Sequence, residues 1–159
     1  MRLTPILTVL LCACGAGDEN HPVPSDYETS WTELQSCTEG SVHGGDSIRI
    51  FANASAEATW NEWAQHVADP PDGWAVQFEP SATLLKAQYS DAGCTTLKHW
   101  TMMTRLEAGA APEVGDWLWE MVSANDDGTP GNVSAGGAGC WGCHQSYGNK
   151  DYVGSEPRP

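Results

Sequence analysis

Thr96-Leu97-Lys98-His99-Trp100-Thr101-Met102-Met103-Thr104-Arg105-Leu106, followed by Trp117-Leu118-Trp119-Glu120-Met121-Val122-Ser123, decides the fold. Both runs read at period two, the pattern of extended chain. The turn Asn125-Asp126-Asp127-Gly128 ends the second run. Upstream, Ala82–Tyr89 reads as another strand, closed by the turn Ser90-Asp91-Ala92-Gly93, and Trp74–Phe78 as a strand-like stretch. Ser47–Phe51 is a further short strand. Strands joined by such turns pair as an antiparallel meander.

Helical signals flank this middle. Ser25 with Glu28 forms a capping box, and Tyr27, Trp31 and Leu34 follow at helical spacing, so a first helix is expected over Asp26–Ser36. Asn53 is a good N-cap for a second helix over Ala54–Ala68, with Trp60, Trp63, Ala64 and Val67 on one face. Asp69-Pro70-Pro71-Asp72-Gly73 stops it. A short last helix is expected over Cys140–Tyr147. The expected fold class is α+β: an antiparallel meander with packed N-terminal helices and a short C-terminal helix.

Cys140-Trp141-Gly142-Cys143-His144 carries the chemistry. It reads C-x-x-C-H, the attachment signature of a c-type haem. Two thiols three residues apart can add to the two vinyl groups of one porphyrin. The adjacent His144 can then ligate the iron from the proximal side. The small residues Ser134 to Gly139 let the backbone approach a flat cofactor. A redox dithiol or half a zinc site are the other readings of the cysteine pair. Neither accounts as well for the motif: no further ligands stand nearby at zinc spacing, and a dithiol gives no reason for the histidine.

The chain has 159 residues, enough for one domain with its own core. Arg2 and the apolar run Ile6–Leu11 read as a signal peptide over residues 1–13. Leu11-Cys12-Ala13-Cys14 resembles the bacterial lipobox, with Cys14 as the acylated first mature residue. The alternative is ordinary cleavage near Ala16. Residues 14–24 read as a flexible tether and 25–159 as the domain. Acyl chains on Cys14 would anchor the protein to a membrane, with the outer membrane facing the periplasm the expected location.

Seven basic residues against twenty-one acids give a formal net charge of −14. This excludes nucleic acid as a natural partner, since phosphate recognition needs clustered Lys and Arg. It allows a basic redox partner protein. Of the six cysteines, Cys37 and Cys94 remain after the leader, lipid and haem are assigned. In an oxidising compartment they pair by default, the alternative being two separate buried thiols.

In chain order, four stretches resemble the cytochrome P-460 family and its relatives, the cytochromes c′-β. They are Ile48–Asn53 with Ala56; Phe78-Glu79-Pro80 through Thr83–Lys86; Trp100–Arg105 with Gly115–Trp119; and Cys140–His144 with Asp151-Tyr152-Val153. The resemblance implies an antiparallel sheet with packed helices, a five-coordinate haem c and often a homodimer. It implies binding or oxidation of small nitrogen species such as hydroxylamine and nitric oxide. In the cytochromes P-460 a lysine also bonds to the porphyrin edge, and Lys86 is the matching residue. The c′-β relatives lack that bond and suit gas binding.

A simple electron-transfer cytochrome is the alternative, and the iron's sixth site separates the two. Met102, Met103, Met121 and His99 are candidates to close that site, although core filling suits the methionines. Alternation sends Met102 and Met103 to opposite faces. Trp141 is expected beside the haem, and Arg105 and Glu107 are candidate proton-handling groups.

Overall fold

Turns between successive period-two runs let each strand pair with its chain neighbour. The computed structural model describes residues 22–40 and 45–157. Its six strands form one antiparallel sheet in chain order: β1 (Thr32–Glu39), β2 (Ser47–Ala52), β3 (Thr83–Tyr89), β4 (Leu97–Arg105), β5 (Trp117–Ala124) and β6 (Pro130–Ala135). The helices are α1 (Tyr27–Ser30), α2 (Ala54–His66) and α3 (Gly137–His144), and a 3-10 segment over Gln145–Lys150 follows α3. The architecture is an α+β meander.

The first long helix is not formed. Its N-terminal part is a single turn, and residues from Thr32 onward form β1 instead. The capping box does not close, because Glu28 turns to Arg49 at 2.7 Å. Ladder pairing decides the conformation: Thr32 lies opposite Ala52 and Glu39 opposite Ser47. A stretch with modest helix propensity gives way when a strand edge offers this many backbone partners.

Trp74–Phe78 is not a strand and joins no ladder. Its Phe78 N–H donates instead to Asp151 Oδ2 at 2.7 Å, while Val76 and Phe78 fill the core. The helix α2 begins as its cap requires, with Asn53 accepting from Ala56 N at 3.0 Å. Its buried stripe is Ala56, Thr59, Trp60 and Trp63, at spacing i, i+3, i+4, i+7, and Ala64 is exposed. The edge strand β6 has no strand signal in its Gly, Asn and Ser content, and is mostly exposed.

Both faces of the sheet are covered. Phe51, Leu85, Ala87, Trp100 and Val122 pack on one face with Tyr27. Ala52, Leu84, Trp117 and Trp119 pack on the other with Trp60 and Trp63 of α2. Full burial of a side chain such as Leu85 or Phe51 contributes about 1.5–3 kcal/mol, which makes β2 and β3 the anchor of the sheet. Cys37 of β1 and Cys94 of the β3–β4 turn are joined as a disulfide, which ties the edge strand to the far end of the hairpin. Among the described residues no helix is long and apolar enough to cross a membrane. The leader and Cys14 lie outside the described residues.

Candidate functional site

Residues opposite one another in an antiparallel ladder share a face, and three such rows build the floor of the site. One row is Ile50, Lys86, Thr101 and Met121. The next, toward α3, is Ala52, Leu84, Met103 and Trp119. The third is Ile48, Gln88 and His99. Apart from Ala52, they floor a cavity of about 1000 Å³, with Trp60 of α2 and residues of α3 on its walls. That volume lies at the upper end of small-molecule sites, about 300–1,000 Å³.

The α3 helix brings the motif to this cavity. Cys140, Cys143 and His144 stand at i, i+3 and i+4, so one helix face carries all three to the same wall. Cys140 and Cys143 are free thiols, Cys143 the more exposed. Trp141 points away from that face. It packs on Tyr152 with ring centroids 4.8 Å apart and does not line the cavity, whereas Trp119 does.

Two features seat the helix on the sheet. Gly136 N donates to Trp119 O at 2.7 Å. A Cβ at Gly136 would lie 2.7 Å from Cys140 Sγ and 3.1 Å from Trp119 Cβ, so a larger residue would force one of them to shift. This glycine serves a close contact with strand β5.

His144 Nδ1 meets Tyr152 O at 2.7 Å. A carbonyl only accepts, so Nδ1 carries the proton and Nε2 the lone pair that can bind a metal. Burial lowers the His144 pKa; the Tyr152 carbonyl opposes that shift and the charge on Lys86 adds to it. Burial also lowers the Lys86 pKa, with the Cys140 sulfur opposing. Burial raises the Cys140 thiol, with Lys86 opposing. These mutual effects put Lys86, Cys140 and His144 in one electrostatic neighbourhood.

Arg105 and Glu107 lie elsewhere. Arg105 pairs with buried Asp151 at 3.1 Å, and Glu107 is exposed, so neither lines the cavity as a proton-handling group. Burial raises the Asp151 carboxyl, against the pull of the Phe78 N–H and the Arg105 guanidinium. Met103, Met121 and His99 do line the cavity. Burial lowers the His99 pKa, and neighbouring Lys98 lowers it further.

The residues fit a covalently held haem. The donor set is two thiols and an oriented imidazole on one helix face. Trp119 Nε1, on the cavity wall, is buried with no hydrogen-bond partner among the described residues. Among the described residues no group of three or more His, Cys, Asp or Glu side chains is gathered to hold a metal ion. Fully buried Gln88 and the Tyr152 carbonyl escaped the sequence reading. Strand alternation from Lys86 flags Gln88, whereas nothing local flags a backbone carbonyl. No protein-family model matches the chain, and no curated protein matches it significantly.

Proposed function

We propose that this chain is a c-type haem protein of the cytochrome P-460 type, which binds or oxidises hydroxylamine or nitric oxide at an open iron site. The observation that carries the reading is the shared wall of Cys140, Cys143 and His144 over a cavity floored by Lys86. Cys140 and Cys143 would each form one thioether. His144 would ligate the iron through Nε2, oriented by the Tyr152 carbonyl on Nδ1. Haem c, once bound, supplies an iron that takes up small nitrogen ligands and exchanges electrons with them. Lys86 is the residue we assign to the bond with the porphyrin edge. Burial lowers its pKa, a shift toward the neutral amine. Leu84, Met103 and Trp119 would exclude water from the ligand side of the floor.

A simple electron-transfer cytochrome is the second reading. It is favoured by Met103 and Met121, both on the cavity side of the sheet. In either case a lipid on Cys14 holds the domain at the membrane, and the acidic surface suits a basic redox partner protein. A homodimer fits the family reading.

The test is haem that survives denaturation and acid–acetone extraction. Cys140→Ala or Cys143→Ala should abolish the two-thioether product, and Lys86→Ala should lower hydroxylamine oxidation while leaving the thioethers intact. Freely extractable haem, or stoichiometric zinc, sinks the proposal.

A further inference from the structure

Two consecutive non-glycine residues, Asp151 (φ 47°) and Tyr152 (φ 65°), occupy left-handed backbone just beyond the haem motif. Such a pair relaxes to the ordinary regions unless its surroundings hold it. Asp151 is held by its side chain. Asp151 is 7% exposed. Its Oδ2 accepts from Phe78 N at 2.7 Å, and its Oδ1 accepts from Arg105 Nη1 at 3.1 Å. The same Arg105 nitrogen donates to Gly115 O at 2.5 Å, and the guanidinium lies over the Trp117 ring, 5.5 Å from its centroid. Gly115 has φ 69°, and a Cβ there would overlap the Tyr152 ring. The turn is thus gripped at the Asp151 carboxylate and at the Tyr152 ring.

A buried ion pair is a poor device for stability, because desolvation offsets its attraction. A strained conformation that the pair helps to hold gives it a different use. The Tyr152 carbonyl of this turn meets His144 Nδ1 at 2.7 Å. We propose that Asp151 is a positioning residue for His144: the Arg105–Asp151 clamp holds residues 151–152 left-handed and so aims the Tyr152 carbonyl at the imidazole. The inference rests on the haem reading for its consequence. A well-aimed acceptor on Nδ1–H makes the imidazole a stronger donor to iron.

Asp151→Gly separates the clamp from the backbone strain, since glycine adopts positive φ freely. The readouts are the iron–histidine stretching band of the ferrous protein in resonance Raman and the midpoint potential. Asp151→Gly should move the band to lower frequency and raise the potential, because a loosened acceptor leaves less charge on the imidazole. Asp151→Asn keeps an oxygen for Phe78 N–H but loses the charge, and should shift both by less. A fully haem-loaded Asp151→Gly protein with the wild-type band and potential overturns the proposal. Should that variant fail to load haem, Asp151→Asn decides alone, and wild-type values in it overturn the proposal equally. Should the wild-type chain carry no covalent haem, the haem reading fails first, and the clamp is still read by nitrogen-15 NMR. His144 should then be a single Nδ1-protonated tautomer in the wild type and a mixture in Asp151→Gly; the same tautomer in both removes the clamp.

Discussion

The indole of Trp119 stands against the imidazole of His144, ring centroids 4.7 Å apart and planes inclined by 62°. One residue belongs to the sheet and the other to α3. With the Gly136 N to Trp119 O bond, this contact seats the helix on β5.

Trp119 is only 5% exposed, so truncating it should open a void against both α3 and the sheet. Trp119→Ala should destabilise by about 3–5 kcal/mol, the usual loss for a buried indole. Trp119→Phe keeps a ring edge for His144 and should cost less. Urea midpoints of the two variants check the order. Equal midpoints would mean that the seat depends on the backbone bond rather than the ring.

Gly136→Ala tests the close approach beneath the motif. The added methyl would lie 2.7 Å from Cys140 Sγ and 3.1 Å from Trp119 Cβ, so one of them has to move. Overpacking of this kind costs about 1–3 kcal/mol. Since Cys140 is one of the displaced atoms, mass spectrometry should also find incomplete covalent attachment. Gly139→Ala is the control, because no atom lies within 4 Å of its would-be Cβ.

The period-two runs made β3, β4 and β5 legible within a residue or two; in β4 and β5 the two faces differ in burial, which is what alternation records. The motif made the three α3 residues legible because its spacing, i, i+3 and i+4, puts them on one face of a helix. Residues 32–36 were not, since Tyr27, Trp31 and Leu34 satisfy helical spacing while the choice was made by a distant strand, β2. Trp141 shows the same limit at the site: adjacency in sequence suggested a haem neighbour, but a helix turns the next residue off the shared face. The carbonyl of Tyr152 had no signal at all, since every residue carries one.

The Cys37–Cys94 disulfide spans 57 residues of chain and clamps the outermost strand. A loop of that length predicts about 4 kcal/mol from chain entropy, with roughly 2–4 kcal/mol typical of measured losses. Cys37→Ser with Cys94→Ser should therefore lower the melting temperature, and hydrogen exchange should rise first in β1. Uniform acceleration across the sheet would mean that the crosslink acts on the unfolded chain alone.

Lys86 supplies a pH signature in the haem-free chain. Burial lowers its folded pKa below the ordinary 10.5, so the unfolded chain binds more protons between those two values. Stability should then rise with pH through that window, where most folded proteins gain nothing. Lys86→Met removes the desolvated amine and should be more stable than the wild type at neutral pH. The difference should shrink as the pH approaches 10.5. Parallel urea titrations check the sign, and a constant difference across the window would rule out a buried titrating amine.

The sixth iron site is the last question the sheet face poses. Pairing puts Met103 in the row with Leu84 and Trp119, Met121 in the row with Lys86, and His99 beside Gln88, all on the cavity side, whereas Met102 packs with the opposite cluster. Met103 packs against the first core cluster and Met121 is 42% exposed, so each already has a role as filler or surface. An open site therefore predicts rapid carbon monoxide binding by the ferrous protein. Met103→Leu, Met121→Leu and His99→Gln should each leave that optical spectrum unchanged, since none would be giving up an iron bond. A red-shifted ferrous Soret band that disappears in Lys86→Ala would mark the porphyrin bond, and an ordinary c-type band still open to carbon monoxide would mark the c′-β behaviour. A six-coordinate spectrum indifferent to carbon monoxide, turning five-coordinate in one of the three variants, would identify the closing ligand and make the chain an electron carrier. Access to a bound iron would separate gas chemistry from electron transfer, and Met103, Met121 and His99 are cavity-floor side chains that could close it.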